Sequence, residues 1–137
     1  MFNSRQSKKK RRPYQVKKTG IKDENIDRQI LVIHMAIANK LLVDNQGDKA
    51  LVNAVLERLE QRREEGRMGY GEYLTWLSAM ELIERKPDFV AAICEDTPRM
   101  RKFRRRTPFV GVLTEQERQA ALDADSLGTL DDLSSLF

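Results

Sequence analysis

Apolar residues recur at three- and four-residue steps through most of the middle of the chain, the spacing that aligns one face of an α-helix. Ile26, Ile30, Ile33, Ile37 and Leu41 form the longest such stripe, widened by Leu31, Met35 and Leu42. It predicts a first helix from about Asp23 to Val43, at the centre of the core. Asp23, Glu24 and Asp27 put acidic charge at its expected start, where exposed backbone N–H groups favour it. After the turn cluster Asp44-Asn45-Gln46-Gly47-Asp48, the residues Leu51, Val52, Val55, Leu56 and Leu59 mark a second helix that stops near Gly66. Its last turns, 57–67, are almost wholly charged and are expected to run into solvent as mixed-sign pairs.

Tyr73, Leu74, Trp76, Leu77, Met80 and Ile83 predict a third helix ended by Pro87, because the residue before a proline is pushed out of helical geometry. Phe89, Val90, Ile93 and Cys94 fit a short fourth. Thr97-Pro98 reads as a cap followed by proline at the first helical position, opening the short and very basic run Arg99 to Arg106. The apolar stretch Thr107 to Leu113 contains Pro108 and Gly111, which suggests an extended linker lying on the core or one added strand. Thr114-Glu115-Gln116-Glu117 is a capping-box pattern and predicts a final helix to about Leu122. The expected fold class is therefore all-α, a small helical bundle of about five helices.

Charge divides the 137 residues further. Residues 1–22 sum to +9 with no acidic residue, residues 23–118 to −1 (16 basic, 17 acidic), and residues 119–137 to −4. A like-charged arm with few apolar groups buries too little surface to fold, so residues 1–22 are expected to be a disordered basic arm. Residues 23–122 form the expected helical domain, about 100 residues with a single core of modest stability. Residues 123–137 form an acidic, leucine-rich tail expected to bind a partner. The single cysteine, Cys94, excludes an intramolecular disulfide and any cysteine-rich zinc site, and fits a reducing compartment. No apolar run approaches the roughly 18 residues needed to span a bilayer, and the basic cluster before Pro13 is unlike a secretory signal, so a cytoplasmic protein without membrane contact is expected.

Few residues offer chemistry. His34, the only histidine, sits within the most apolar helix and reads as a packing residue. Cys94 precedes Glu95-Asp96, whose negative charge raises a thiol pKa, so it reads as structural. Gly66, Gly69 and Gly71 crowd one loop beside Arg67, yet their spacing matches no phosphate-cradling loop and a helix-breaking hinge is the simpler reading. Tyr70, Tyr73 and Trp76 have the chemistry to stack on bases, but core packing explains Tyr73 and Trp76 more simply. No acid–base dyad, metal cluster or nucleophile motif stands at a recognisable spacing, so no enzyme, cofactor or metal is expected.

Two basic runs remain. Lys8, Lys9, Lys10, Arg11 and Arg12, with Lys17 and Lys18, suit sequence-blind phosphate contact with DNA or RNA. Arg99, Arg101, Lys102, Arg104, Arg105 and Arg106 put six cations on one short helix whose Met100 and Phe103 would dock to the core. Forked guanidinium groups suit phosphate or carboxylate, so this helix binds phosphate, binds an acidic protein, or pairs internally with Glu57 to Glu65 and Glu81 to Glu84. In the tail, Leu127, Leu130, Leu133 and Leu136 recur every third residue and Phe137 follows, a set of anchors for a foreign apolar groove.

The segment Thr129-Leu130-Asp131-Asp132-Leu133-Ser134-Ser135-Leu136-Phe137 resembles sliding-clamp-binding peptides, which end in Leu-Phe with another leucine a few positions earlier. Asp132 stands where the bacterial version prefers glutamine. With a small helical domain ahead of it, the segment looks most like that of the late-transcription coactivators of T-even-like phages. The resemblance covers about nine residues. It implies that Leu133, Leu136 and Phe137 enter a clamp pocket, that RNA polymerase is the second partner, and that the setting is a host cytoplasm. The competing expectation is a general RNA-, ribosome- or DNA-binding protein that uses both basic runs.

Overall fold

The structure, a computed structural model, describes residues 2–127, with side chains described for residues 23–127. Six helices follow one another: α1 (Phe2–Asn45), α2 (Ala50–Glu64), α3 (Tyr70–Glu81), α4 (Lys86–Ile93), α5 (Pro98–Arg105) and α6 (Glu115–Ser126). The fold is all-α, a small helical bundle, with no strand among the described residues. Of the expected arm over 1–22, only the backbone of α1 is described; its side chains, and the expectation of disorder there, lie outside the described residues. Asp23 and Asp27 consequently sit within α1 and not at its first turn.

α1 is the hub, packing against α2, α4, α5 and α6, while α3 closes the remaining side against α2 and α4. Ile37, Ala38 and Leu41 of α1 meet Val52, Val55 and Leu59 of α2, Trp76, Ala79 and Met80 of α3, and Phe89 and Ile93 of α4. The apolar stripe of α1 is buried only in its second half: Leu41 is wholly enclosed, whereas Ile26 is 43% exposed. The first half of the stripe is met by α5 and α6 chiefly through ion pairs, Arg105 with Asp23 and Asp27 and Asp125 with Arg28.

Local signals set most helix ends. Thr97 accepts the Met100 N–H at 3.2 Å with Pro98 in the first turn, and Thr114 and Glu117 form the full capping box. Gly66 takes the left-handed conformation, φ 72°, at the end of α2. Its N–H donates to the Arg63 carbonyl and the Arg67 N–H to the Arg62 carbonyl at 2.8 Å, the paired bonds of a Schellman turn. Besides the start of α1, two boundaries differ from expectation. Pro87 does not end α3, which stops at Glu81; it sits in the first turn of α4, where its missing N–H costs nothing. α6 continues past Leu122 to Ser126, helped by a 2.7 Å ion pair between Asp125 and Arg28 of α1.

Between α5 and α6 the chain turns without forming a strand, and Pro108, Phe109 and Val112 seal the core. Arg58 of α2 holds this stretch by donating to the carbonyls of Pro108 (3.0 Å) and Val110 (2.6 Å).

Candidate functional site

The cations of α5 have separate fates. Arg104 is 2% exposed. Its Nη1 donates to the carbonyls of Ile93 (3.1 Å) and Glu95 (2.8 Å), groups left without helical partners where α4 ends, so the guanidinium caps α4 from another helix. Burial lowers its pKa, and its Nη2 has no hydrogen-bond partner. An interior cation of this kind is out of reach of a phosphate backbone.

Arg101 pairs with Asp96 at 2.7 Å, and this bond holds the Asp96 carboxyl below its ordinary range. Arg105 pairs with Asp27 at 2.9 Å and reaches Asp23 at 3.7 Å. Arg106 pairs with Glu72 at 2.9 Å; the Glu72 side chain is 5% exposed and its partner's 58%. Arg99 lies over the Phe103 ring at 4.8 Å and donates to Thr75 Oγ1. Internal pairing therefore accounts for much of this run, but with Asp23, Asp27, Asp96 and Glu72 and not with the glutamates of 57–65 and 81–84. Arg99 and Lys102 remain at the surface without a carboxylate partner among the described residues. Met100 is buried and Phe103 packs against the core, as their spacing predicted.

His34 is 1% exposed and stacks on Trp76, with ring centroids 6.5 Å apart and Phe109 edge-on at 5.8 Å. Its bonds fix a neutral tautomer. Nδ1–H donates to the Ile30 carbonyl (2.7 Å), and Nε2 accepts from the Thr107 hydroxyl (2.8 Å), whose oxygen accepts the Phe109 N–H. Burial pushes its pKa down to about 4, aided by the charge of Arg104. His34 is thus a structural residue that ties α1 to the stretch after α5. Cys94 has the raised pKa expected of it, about 11, but the cause is burial and not its acidic neighbours. Trp76 is fully enclosed, while Tyr70 is 57% exposed, stacks with Tyr73 and carries the Arg63 guanidinium 4.3 Å from its ring centre.

Two surface features were not singled out in the sequence. A shallow groove between α3, α4 and α5 is lined by Leu74, Leu82, Ala92 and Met100 with Arg99 at its rim. A cleft at the ends of α2 and α5 gathers Arg62, Arg67, Arg105 and Arg106 around Glu72. Periodicity marked residues 57–67 only as a solvated charged end; the cue for the cleft was the glycine turn beside Arg67.

Leu133, Leu136 and Phe137 lie outside the described residues, as do the side chains of Lys8, Lys9, Lys10, Arg11, Arg12, Lys17 and Lys18. Among the described residues no three His, Cys, Asp or Glu side chains are placed to hold a metal ion, and no helix is long and apolar enough to cross a membrane. No protein-family model matches the chain, and neither the curated proteins nor the solved structures hold a match to it.

Proposed function

We propose that the chain is a non-enzymatic adaptor that joins a DNA sliding clamp to RNA polymerase, in the manner of a late-transcription coactivator. The observation that carries this reading is the clamp-peptide-like sequence Leu133-Ser134-Ser135-Leu136-Phe137, which follows α6. α6 contains no fully buried residue. It is fastened to α1 by the Arg28–Asp125 pair and by Lys40–Glu117 at 2.5 Å. A peptide tethered in this way engages a foreign pocket without disturbing the bundle. Leu133, Leu136 and Phe137 are its anchors, with Asp131 and Asp132 facing a basic rim. For the second partner we assign the groove between α3, α4 and α5, where Leu74 is 39% exposed beside Arg99.

The test is binding of the full chain to the clamp of its own replication system by surface plasmon resonance. Replacing both Leu136 and Phe137 by alanine is expected to weaken the complex about a hundredfold or more, since buried anchors carry most of the energy of such contacts. Equal affinity of the two chains would end the proposal.

The second reading, an RNA- or DNA-binding protein using Lys8–Arg12 and the surface part of Arg99–Arg106, draws its support from the exposed Arg99 and Lys102. It predicts that log affinity falls linearly with log salt, with a slope of about 0.9 per phosphate contacted on duplex DNA. A flat salt response counts against it.

A further inference from the structure

The cleft between the ends of α2 and α5 stands apart from both the tail and the outward face of α5. Its walls are Arg62 and Arg67 on one side, Arg105 and Arg106 on the other, with Glu72, Met68, Thr107 and Val110 completing a space of about 330 Å³. The local structure explains the convergence. The Schellman turn at Gly66 folds Arg67 back beside Arg62, and Arg62 Nη1 donates to the carbonyl of Arg106 at 2.8 Å, which joins the two helix ends.

The charges do not cancel inside this space. Arg105 is turned to Asp27 and Asp23, and Arg106 is balanced by Glu72. Arg62 has no carboxylate at bonding distance among the described residues. Among the described residues Arg67 has only Glu65, at 3.3 Å and with both side chains well exposed, a contact of little strength. Arg58 stands one turn before Arg62 and has no carboxylate partner either, its Nη1 being held by two carbonyls. Burial first, and then the neighbouring Arg58 and Arg67, lower the pKa of Arg62, with Glu72 opposing them.

We propose that this cleft binds a phosphate group, gripped by the forked N–H groups of Arg62 and Arg67 with Arg106 behind them. Each guanidinium carries five donors, and the contacts described here occupy one N–H of Arg62 and one of Arg106, which leaves several on residues that line the cleft. Planar forks approaching from two helix ends match a tetrahedral, multiply charged anion better than a single flat carboxylate. The phosphate is borne either by a free phosphorylated compound or by a nucleic-acid backbone; the site recognises the shared group. This inference is independent of the adaptor reading.

Titration calorimetry of the full chain in phosphate-free buffer tests it in two arms, one with inorganic pyrophosphate and one with an unstructured single-stranded oligonucleotide. We expect binding in at least one arm, weakened about tenfold by Arg67→Gln and by Arg62→Gln, the loss of one charge-assisted contact. Arg85→Gln, which removes the same charge from the start of α4, leaves it unchanged. Pyrophosphate alone binding identifies a free phosphate compound, and oligonucleotide alone a nucleic-acid backbone. Because Arg62 also braces the end of α5, the exposed Arg67 decides the matter if Arg62→Gln unfolds. Absence of binding in both arms overturns the proposal. So does binding that Arg67→Gln leaves intact, or binding that Arg67→Gln and Arg85→Gln weaken equally.

Discussion

α5 and α6 are neighbouring surface-length helices whose compositions suggest the reverse of their roles. α5, Pro98–Arg105, has five cations among its eight residues yet sends Met100 and Arg104 into the interior; α6, Glu115–Ser126, carries alanines and a leucine yet buries no residue fully. The difference lies in backbone accounting. The end of α4 leaves carbonyls that need donors, and an arginine supplies them through a long apolar stem with a forked donor at its tip. α6 lies along α1 with Ala121, Leu122 and Ala124 only half-buried, and to that contact it adds surface ion pairs, which stabilise by about 1 kcal/mol or less each. Charge density along a helix therefore says little about whether it is interior; what matters is which unsatisfied groups it faces.

The largest expected effect separates the two helices directly. Arg104→Ala should destabilise the fold by about 4 kcal/mol in chemical denaturation, since it leaves a cavity and two unpaired carbonyls. Arg104→Met, which keeps the volume but not the donors, should cost about half as much. A loss under about 1 kcal/mol for Arg104→Ala would break the comparison.

Next comes pH, through the bond from His34 to Thr107 just after α5. The folded histidine has its pKa pushed down to about 4 from an ordinary 6.5, so between those values the unfolded chain binds a proton that the folded one does not. Stability is therefore fully present above pH 6.5 and is lost as pH falls towards 4, by about 3 kcal/mol in all. His34→Gln should flatten that slope. An equal slope in both proteins would show that carboxylates govern the acid limb instead.

Arg106→Ala leaves the enclosed Glu72 carboxylate without its partner and should cost about 2 kcal/mol. Adding Glu72→Gln should recover part of that loss, and a double-mutant cycle measures the coupling. The smallest effect belongs to α6: Lys40→Ala, which leaves Glu117 to its capping box alone, should cost about 0.5 kcal/mol. A loss matching that of Arg104→Ala would make α6 as integral as α5.

The helical stripes, the Thr97-Pro98 start, the Thr114–Glu117 box and the Gly66 stop were all legible in the sequence. Each depends on residues three to five positions apart, a range over which backbone geometry alone brings groups together. The same locality explains the misplacement of Pro87, which suits a helix start as well as it forbids a helix middle. The arginines were illegible. Arg106 meets Glu72 across 34 residues, Arg105 meets Asp27 across 78, and Arg28 meets Asp125 across 97. Seen from composition, the run 99–106 was one cationic face. Packing divided it into an interior cap, three ion pairs and two surface cations, and set its last residue against α2 in a cleft that no stretch of sequence spells out. Periodicity determined where the helices run, because it is a property of the chain; the partner of each charge was decided by the packing of α1 against α5 and α2 against α3, because a charge takes whichever group tertiary structure places within reach.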